Sequence, residues 1–322
     1  MNRAVTGAVM LVLALKAVPS HGQPAWPGKP IRIVVPFAAG SFTDIAARSI
    51  AVELTAQLGQ QVVVENRTGA GGTLGTDVVA KAAPDGYTLL LSDNSFAMAP
   101  GLYQKLPYDP ARDFVHVTQI ADSPSLLVAR LGVPAKNLKE FVELARAKPG
   151  ELTFGSGGQG SSAHLATELF MSVARIKMTH IPFKGVVLSI AEVVGERIDM
   201  SIASLASGMA MVNAGKVQGF GVTGKERSPL LPMVPTFVEA GFPAYDMTYW
   251  WGIATPGGTP PQIVSRLNKE IARAAERPRV KDSFEQQGAR ALTSSAAKWS
   301  ARIAEEMNVW RNVILKADVK IE

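Results

Sequence analysis

The 322-residue chain has no cysteine. That excludes disulfides, thiolate chemistry and a lipid anchor carried on that residue. Histidine is scarce, with four in the whole sequence at positions 21, 116, 164 and 180. None falls in an H-E-x-x-H or other carboxylate–histidine spacing, so no resident metal is expected. A G-x-S-x-G nucleophile elbow is missing as well. Charge is not clustered: 33 Lys and Arg are scattered singly among 27 Asp and Glu, without the basic patch that nucleic acid requires. No apolar stretch reaches bilayer-spanning length, and the run Ala4 to Leu15 is too short to cross.

That run has another reading. Arg3 precedes it, and the small residues Ser20 and Gly22 follow it, the pattern of a secretory signal peptide. Residues 1–22 are therefore set apart as a signal, and the remainder is expected to be exported and soluble. Removing them takes away Arg3 and Lys16 and no acid, leaving 31 basic and 27 acidic side chains, a net charge of about +4. A mild positive field suits small anionic ligands. A chain this long buries a large core without disulfides and has room for two domains.

Strand and helix signals alternate. "IRIVV" at residues 31–35 reads as a parallel strand buried on both faces. "PFAAGSFTD" follows it, and then a helix with Ala47, Ala51, Leu54 and Leu58 on one face, stopped by Gly59. "QVVVEN" and "YTLLLS" are further strands, joined through "RTGAGGTLG", a helix and the turn "PDG". A second series runs from "SLLVAR" through a helix capped by Asn137 with Glu140, the strand "LTFGS", a helix over 161–173, "KMTHIPF", a helix over 185–195 and "IDMSIAS". "VQGFGVTG" reads as a strand crossing between the units. Helices over 260–276 and 296–315 close the chain. Two α/β units crossed by more than one segment imply two lobes with a cleft between them.

The stretch "FGSGGQGSSAHL" raises the functional question, because Gly155, Gly157 and Gly160 spell G-x-G-x-x-G between a strand and a helix. A dinucleotide loop wants an acid about 20 residues on, where this chain has Arg175 and Lys177. No nicotinamide or other cofactor is expected. Two readings stay open from the residues alone. One is a glycine turn without ligand. The other is an anion cradle in which glycines let the backbone come close and a helix N-terminus presents unpaired N–H groups. Ser156, Ser161 and Ser162 add hydroxyls. "PFAAGSFTD" is a second element of this kind, with Ser41, Thr43 and Asp44 at its helix start. Asp44 is read first as a tether for that loop. Phe42 either lines a pocket or packs against the neighbouring lobe, and "YWWG" at 249–252 belongs to the core and hinge. Hydrolysis through Ser161 or Ser162 with His164 is the rival reading, although a spacing of three on a helix aligns such a pair without any catalytic purpose.

From Pro30 onward the chain resembles the Bug (TctC-like) periplasmic solute-binding proteins of tripartite tricarboxylate transporters. The resemblance rests on "IRIVVPFAAGSFTDIAAR", "VVVENRTGAGGTLGTDVVAKAAPDGYTLL", "LPYDPARDF", "KPGELTFGSGGQGSSAHLATELF", "HIPFKG", "VPTFVEAGFPAY" and "ATPGGTPPQIVSRLN", in that order. It implies an α/β, two-lobed Venus-flytrap receptor of the type II periplasmic-binding-protein class and no enzyme activity. Lobe 1 would comprise residues 23–121 and 226–322, and lobe 2 residues 122–225. The expected ligand is a small organic carboxylate, the expected partners are membrane transport subunits, and the protein is expected to be a periplasmic monomer. A sensory subunit presenting ligand to a membrane kinase is the alternative.

By position, the resemblance implies that Phe37, Ala39, Gly40, Ser41, Phe42, Thr43 and Asp44 in one loop oppose Ser156, Gly157, Gly158, Gln159, Ser161, Ser162 and His164 in the other. Asn94 and Ser95 would join them after the third strand. Phe183, Lys184 and Gly185 would close the distal side with Ala203 and Ser204. The chain departs from the family at Ala38–Ser41, where Pro-Pro-Gly-Gly is common, and at Phe42, where a small residue is frequent. Ala203 and Ser204 replace an acidic or amide side chain. With Ala203 and Ser204 there, no selection for an amino group is expected at that end, and the departures favour an apolar or aromatic carboxylate over citrate or an amino acid.

Overall fold

The structure is a computed structural model that describes residues 26–317; the expected signal peptide lies outside the described residues. β1 (Ile31–Val35) is almost wholly buried, as its β-branched sequence requires, and pairs in parallel with β2 (Val62–Asn66) and β3 (Thr88–Asp93). Helices α1 (Phe42–Leu58) and α2 (Thr73–Ala80) make the connections, and α3 (Ser95–Leu102) follows β3. A 16-residue strand, β4 (Phe114–Ala129), comes next.

β4 belongs to two sheets. Its first part, through Pro124, lies antiparallel to β9 (Thr248–Pro256), which in turn pairs with β3. From Ser125 onward it pairs instead with β7 (Met200–Ser204) and β8 (Gln218–Val222). Pro124 has no N–H to give a ladder, and it marks the change. Between β4 and β7 come α4 (Leu138–Ala147), β5 (Thr153–Ser156), α5 (Ser162–Ala174), β6 (Thr179–Pro182) and α6 (Val186–Val194). β7, β5 and β6 are neighbours in parallel. α7 (Leu205–Asn213) precedes β8; α8 (Pro261–Ala275), α9 (Pro278–Glu285), the two-residue β10 (Arg290–Ala291) and α10 (Ala296–Ala317) complete the chain.

One lobe therefore surrounds β2-β1-β3-β9-β4 and the other β4-β7-β5-β6 with β8. The crossing expected at "VQGFGVTG" is not there: β8 stays in the second sheet, hydrogen-bonded along β4. The segment after it stays too. Val222 N–H donates to Pro235 O and Phe237 N–H to Val222 O, each at 3.0 Å. The Phe237 ring lies 4.4 Å from Tyr245 and 5.5 Å from Phe170 of α5. We therefore assign residues 226–247 to the second lobe and place the return at β9, against the boundary at 226 expected from sequence. Thr223 Oγ1 ties the two crossings together, accepting from Ser125 N and donating to Met247 O, both at 2.8 Å.

Candidate functional site

The two loops singled out in the sequence fold into the same turn, one in each lobe. Gly40 and Gly160 have φ of 80° and 77°, a left-handed backbone that suits glycine. Ser41 and Ser161 follow as N-caps with φ/ψ of −68/157° and −67/158°. Ser41 Oγ accepts from Asp44 N and Ser161 Oγ from His164 N, both at 3.3 Å. The serine N–H groups donate back to Ala38 O and Gly158 O at 3.2 and 3.1 Å. Each glycine N–H turns back to the side chain four residues on: Gly40 to Asp44 Oδ2 at 3.0 Å, Gly160 to His164 Nδ1 at 3.2 Å. What remains at each helix start is a pair of N–H groups with no protein partner among the described residues, Phe42 and Thr43 on α1, Ser162 and Ala163 on α5. Unpaired first-turn donors plus the helix dipole make an anion site.

Side chains beneath each turn hold its shape. Asp44 accepts from Arg48 Nε at 3.0 Å and from Asn66 Nδ2 at 3.0 Å, and Asn66 also donates to Phe37 O at 3.0 Å. Burial alone would raise the Asp44 pKa; the bonds from Arg48, Gly40 and Asn66 outweigh it and hold the carboxyl below its ordinary value. Under the second turn, His164 and His180 stack at 4.0 Å, with Phe154 stacked on His180 at 4.8 Å. His180 Nε2 meets Ser156 Oγ at 2.6 Å, and Ser156 Oγ also accepts from Gly158 N at 3.1 Å. Burial, and then the neighbouring His164, push His180 down to about 3.

These contacts dispose of the serine–histidine hydrolase. Ser161 Oγ is engaged by the main-chain N–H of His164. His164 Nδ1 accepts from Gly160, and its Nε2 faces Glu168 Oε1 at 3.5 Å. Ser162 Oγ donates elsewhere, to Asp93 Oδ2 at 2.8 Å. Ser156, which does meet a histidine, is fully buried. Among the described residues no group of three or more His, Asp or Glu is placed to hold a metal, and no helix is long and apolar enough to cross a membrane.

The two turns face each other across an inner cavity of about 40 Å³, room for a few waters. It is lined by Phe37, Ser41, Phe42, Thr43, Gly157, Ser161, Ser162, Gly185, Ala203 and Ser204. An outer cavity of about 600 Å³ adds Gly158, Gln159, Phe183 and Lys184. The remaining residues expected at the site stand outside both. Ala39 and Gly40 are exposed on the back of their loop, and Asp44, Ser156 and His164 brace the turns. Asn94 joins β3 to β9, accepting from Trp250 N at 3.0 Å and donating to Thr248 O at 3.2 Å. The N–H of Ser95 donates to Asp93 Oδ1 at 2.9 Å. Phe42 lines the cavity without projecting into it. Its ring is 2% exposed, packed 4.3 Å from Trp251 and 5.2 Å from Phe284 of its own lobe. It contacts its own core, and the preference for an aromatic ligand loses its basis.

Sequence reasoning missed Asp93, Tyr249 and Trp251, all lining the inner cavity. Asp93 stands at the carboxyl end of a parallel strand, where α/β folds place ligands, and that was the signal available. The glycine turn of residues 69–72 was missed as well. A Cβ on Gly71 would lie 2.6 Å from Gln159 O and 3.0 Å from Gly160 C, so this first-lobe turn presses directly on the second lobe's glycine loop.

The family model described as "Tripartite tricarboxylate transporter family receptor" matches residues 46–319. Among solved structures, the periplasmic binding protein BugD is 33% identical, with a TM-score of 0.87 over 92% of this chain and 100% of its own. An R. palustris protein with adipate is 32% identical, with a TM-score of 0.87 over 92% of this chain and 100% of its own. MatC from Rhodopseudomonas palustris with bound malate is 33% identical, with a TM-score of 0.86 over 90% of this chain and 100% of its own.

Proposed function

The chain belongs to the family of tripartite tricarboxylate transporter receptors, and from that premise we propose that it is a periplasmic receptor that captures a small organic carboxylate by lobe closure and delivers it to membrane transport subunits. The family is one of receptors and not of enzymes. One observation carries the carboxylate: two serine-capped helix starts with matching cap dihedrals, one per lobe, bring two free N–H groups each to a single cavity. A carboxylate between them gains charge-assisted hydrogen bonds from both lobes only when these are together, and such differential contact drives closure. The relatives solved with adipate and malate hold carboxylates in the same fold, which supports the class of ligand. The likeness to BugD, a periplasmic binding protein, supports the compartment.

Thermal shift against a panel of mono- and dicarboxylates tests this reading, since a ligand that binds only the folded state raises its melting temperature. Ala163→Pro sharpens the test. Proline is tolerated in the first turn of a helix, and here it deletes one free N–H without removing a functional side chain. We expect carboxylate affinity to fall about tenfold, the value of a hydrogen bond to a charged group, with the ligand-free melting temperature nearly unchanged. Unaltered affinity would remove the α5 helix start from the site.

A further inference from the structure

Asp93 ends β3 directly opposite Trp251 of β9. Tyr249 lies two residues along β9 and so on the same face. Trp251 Nε1–H donates to Thr43 Oγ1 at 3.0 Å, so the indole presents its ring and not its donor. The Asp93 carboxyl is buried, with Ser95 N–H on one oxygen and Ser162 Oγ–H, from the other lobe, on the second. None of the residues lining the inner cavity is cationic, and no salt bridge reaches Asp93 among the described residues. A carboxylate buried with two hydrogen bonds and no counter-charge is costly. Burial pushes its pKa up, against the hydrogen bonds from Ser95, Ser162 and its own backbone. The walls around it include Tyr249 and Trp251, whose aromatic surface attracts cations.

We propose that the deep end of the cleft is a cation subsite, and that the ligand is a compact zwitterion whose ammonium nitrogen pairs with Asp93 while its carboxylate sits on the two helix starts. This rests on the carboxylate reading above and narrows it; it departs from the sequence expectation against an amino acid, because the charge is supplied by Asp93 and not at Ala203 and Ser204. Ser162 joins the two ends: its N–H faces the carboxylate position and its hydroxyl holds Asp93. The spacing is therefore short, and the small inner cavity fits an ammonium group better than a second carboxylate. With the nitrogen in place, closure no longer buries an isolated charge. A plain carboxylate in the same position would confront Asp93 with a like charge.

Isosteric pairs in which carbon replaces the charged nitrogen test this without altering the protein. The pairs are glycine and propanoate, alanine and 2-methylpropanoate, 4-aminobutanoate and pentanoate, and glycine betaine and 3,3-dimethylbutanoate. Calorimetry on the wild type is expected to favour at least one nitrogen member over its carbon partner by about tenfold or more, with no proton taken up on binding. Asp93→Asn should bring that ratio close to one. Carbon members that bind as tightly as their partners overturn the proposal, as does a preference that survives in Asp93→Asn. Binding of plain acids with uptake of one proton, read from the dependence of the enthalpy on buffer, would make Asp93 a protonated donor and also overturn it. If no carboxylate of either series or of the wider panel binds, the carboxylate reading itself falls, an outcome distinct from equal binding within pairs.

Discussion

Asp44 stands outside both cavities and shapes the loop that lines them. Its carboxylate gathers Gly40 N–H, Arg48 and Asn66, which leaves the next N–H groups aimed at the cleft. Asp44→Ala should strand a part-buried N–H and loosen the loop. Denaturant titration is expected to show a loss of about 1–3 kcal/mol, and carboxylate affinity should fall with it. Two histidines set a pH dependence of stability. Burial holds His116 down at about 4, and burial with the nearby His164 holds His180 down at about 3. The unfolded chain takes up these protons near pH 6.5 and the folded protein does not. Stability is therefore full above about pH 6.5 and declines as pH falls toward 3, with a slope of up to about 1.4 kcal/mol per pH unit for each histidine. The slope is less than this limit, because both side chains are part-exposed. Melting temperatures between pH 7 and pH 4 check the direction, and His180→Asn should flatten the curve. At this scale the sequence showed the tethering role of Asp44, because a first-turn carboxylate acts locally; it read Ser41 and Ser161 as hydroxyls for an anion, whereas both are N-caps whose Oγ is taken by the chain. It hid Asp93, whose meaning depends on Trp251, which lies far along the chain, and on Ser162 from the other lobe.

At the scale of elements, the glycine turn before α2 acts on the second lobe's loop by contact alone. Gly71 has φ of 62°, and an added Cβ would meet Gln159 O at 2.6 Å. That contact joins a turn of one lobe to a loop of the other. Gly71→Ala should weaken ligand binding beyond the backbone cost of about 1–2 kcal/mol. Gly59→Ala, at φ of 65° with nothing within 4 Å, carries that backbone cost without the collision. Equal ligand affinity in the two variants would show that the turn does not limit closure. Most elements were legible from periodicity and caps, including α5 behind its glycine loop and the buried β1. β4 was not: its second half was read from "SLLVAR", while two register shifts break the pattern of its first half.

For the whole molecule, the chain crosses between lobes at Pro124–Ser125 and at the start of β9, and Thr223 clamps the two crossings side by side. Two adjacent strands bend as one hinge. Small-angle scattering should show a smaller radius of gyration with ligand than without. The change should be lost in a variant that combines Ala163→Pro with Gly71→Ala. The two-lobed architecture followed from counting two α/β series. Where the second series ended did not, because Phe237 and Tyr245 join its core through packing on Phe170, which no local pattern announces.

The matched turns carry one more consequence. Their grip is made of peptide groups, which every amino acid supplies, so it survives replacement of almost any neighbouring side chain. On the proposed reading the handle is insulated from mutation, while wall positions such as Asp93 would choose the cargo beyond it. A change of diet would then need new wall residues alone, with the same grasp kept.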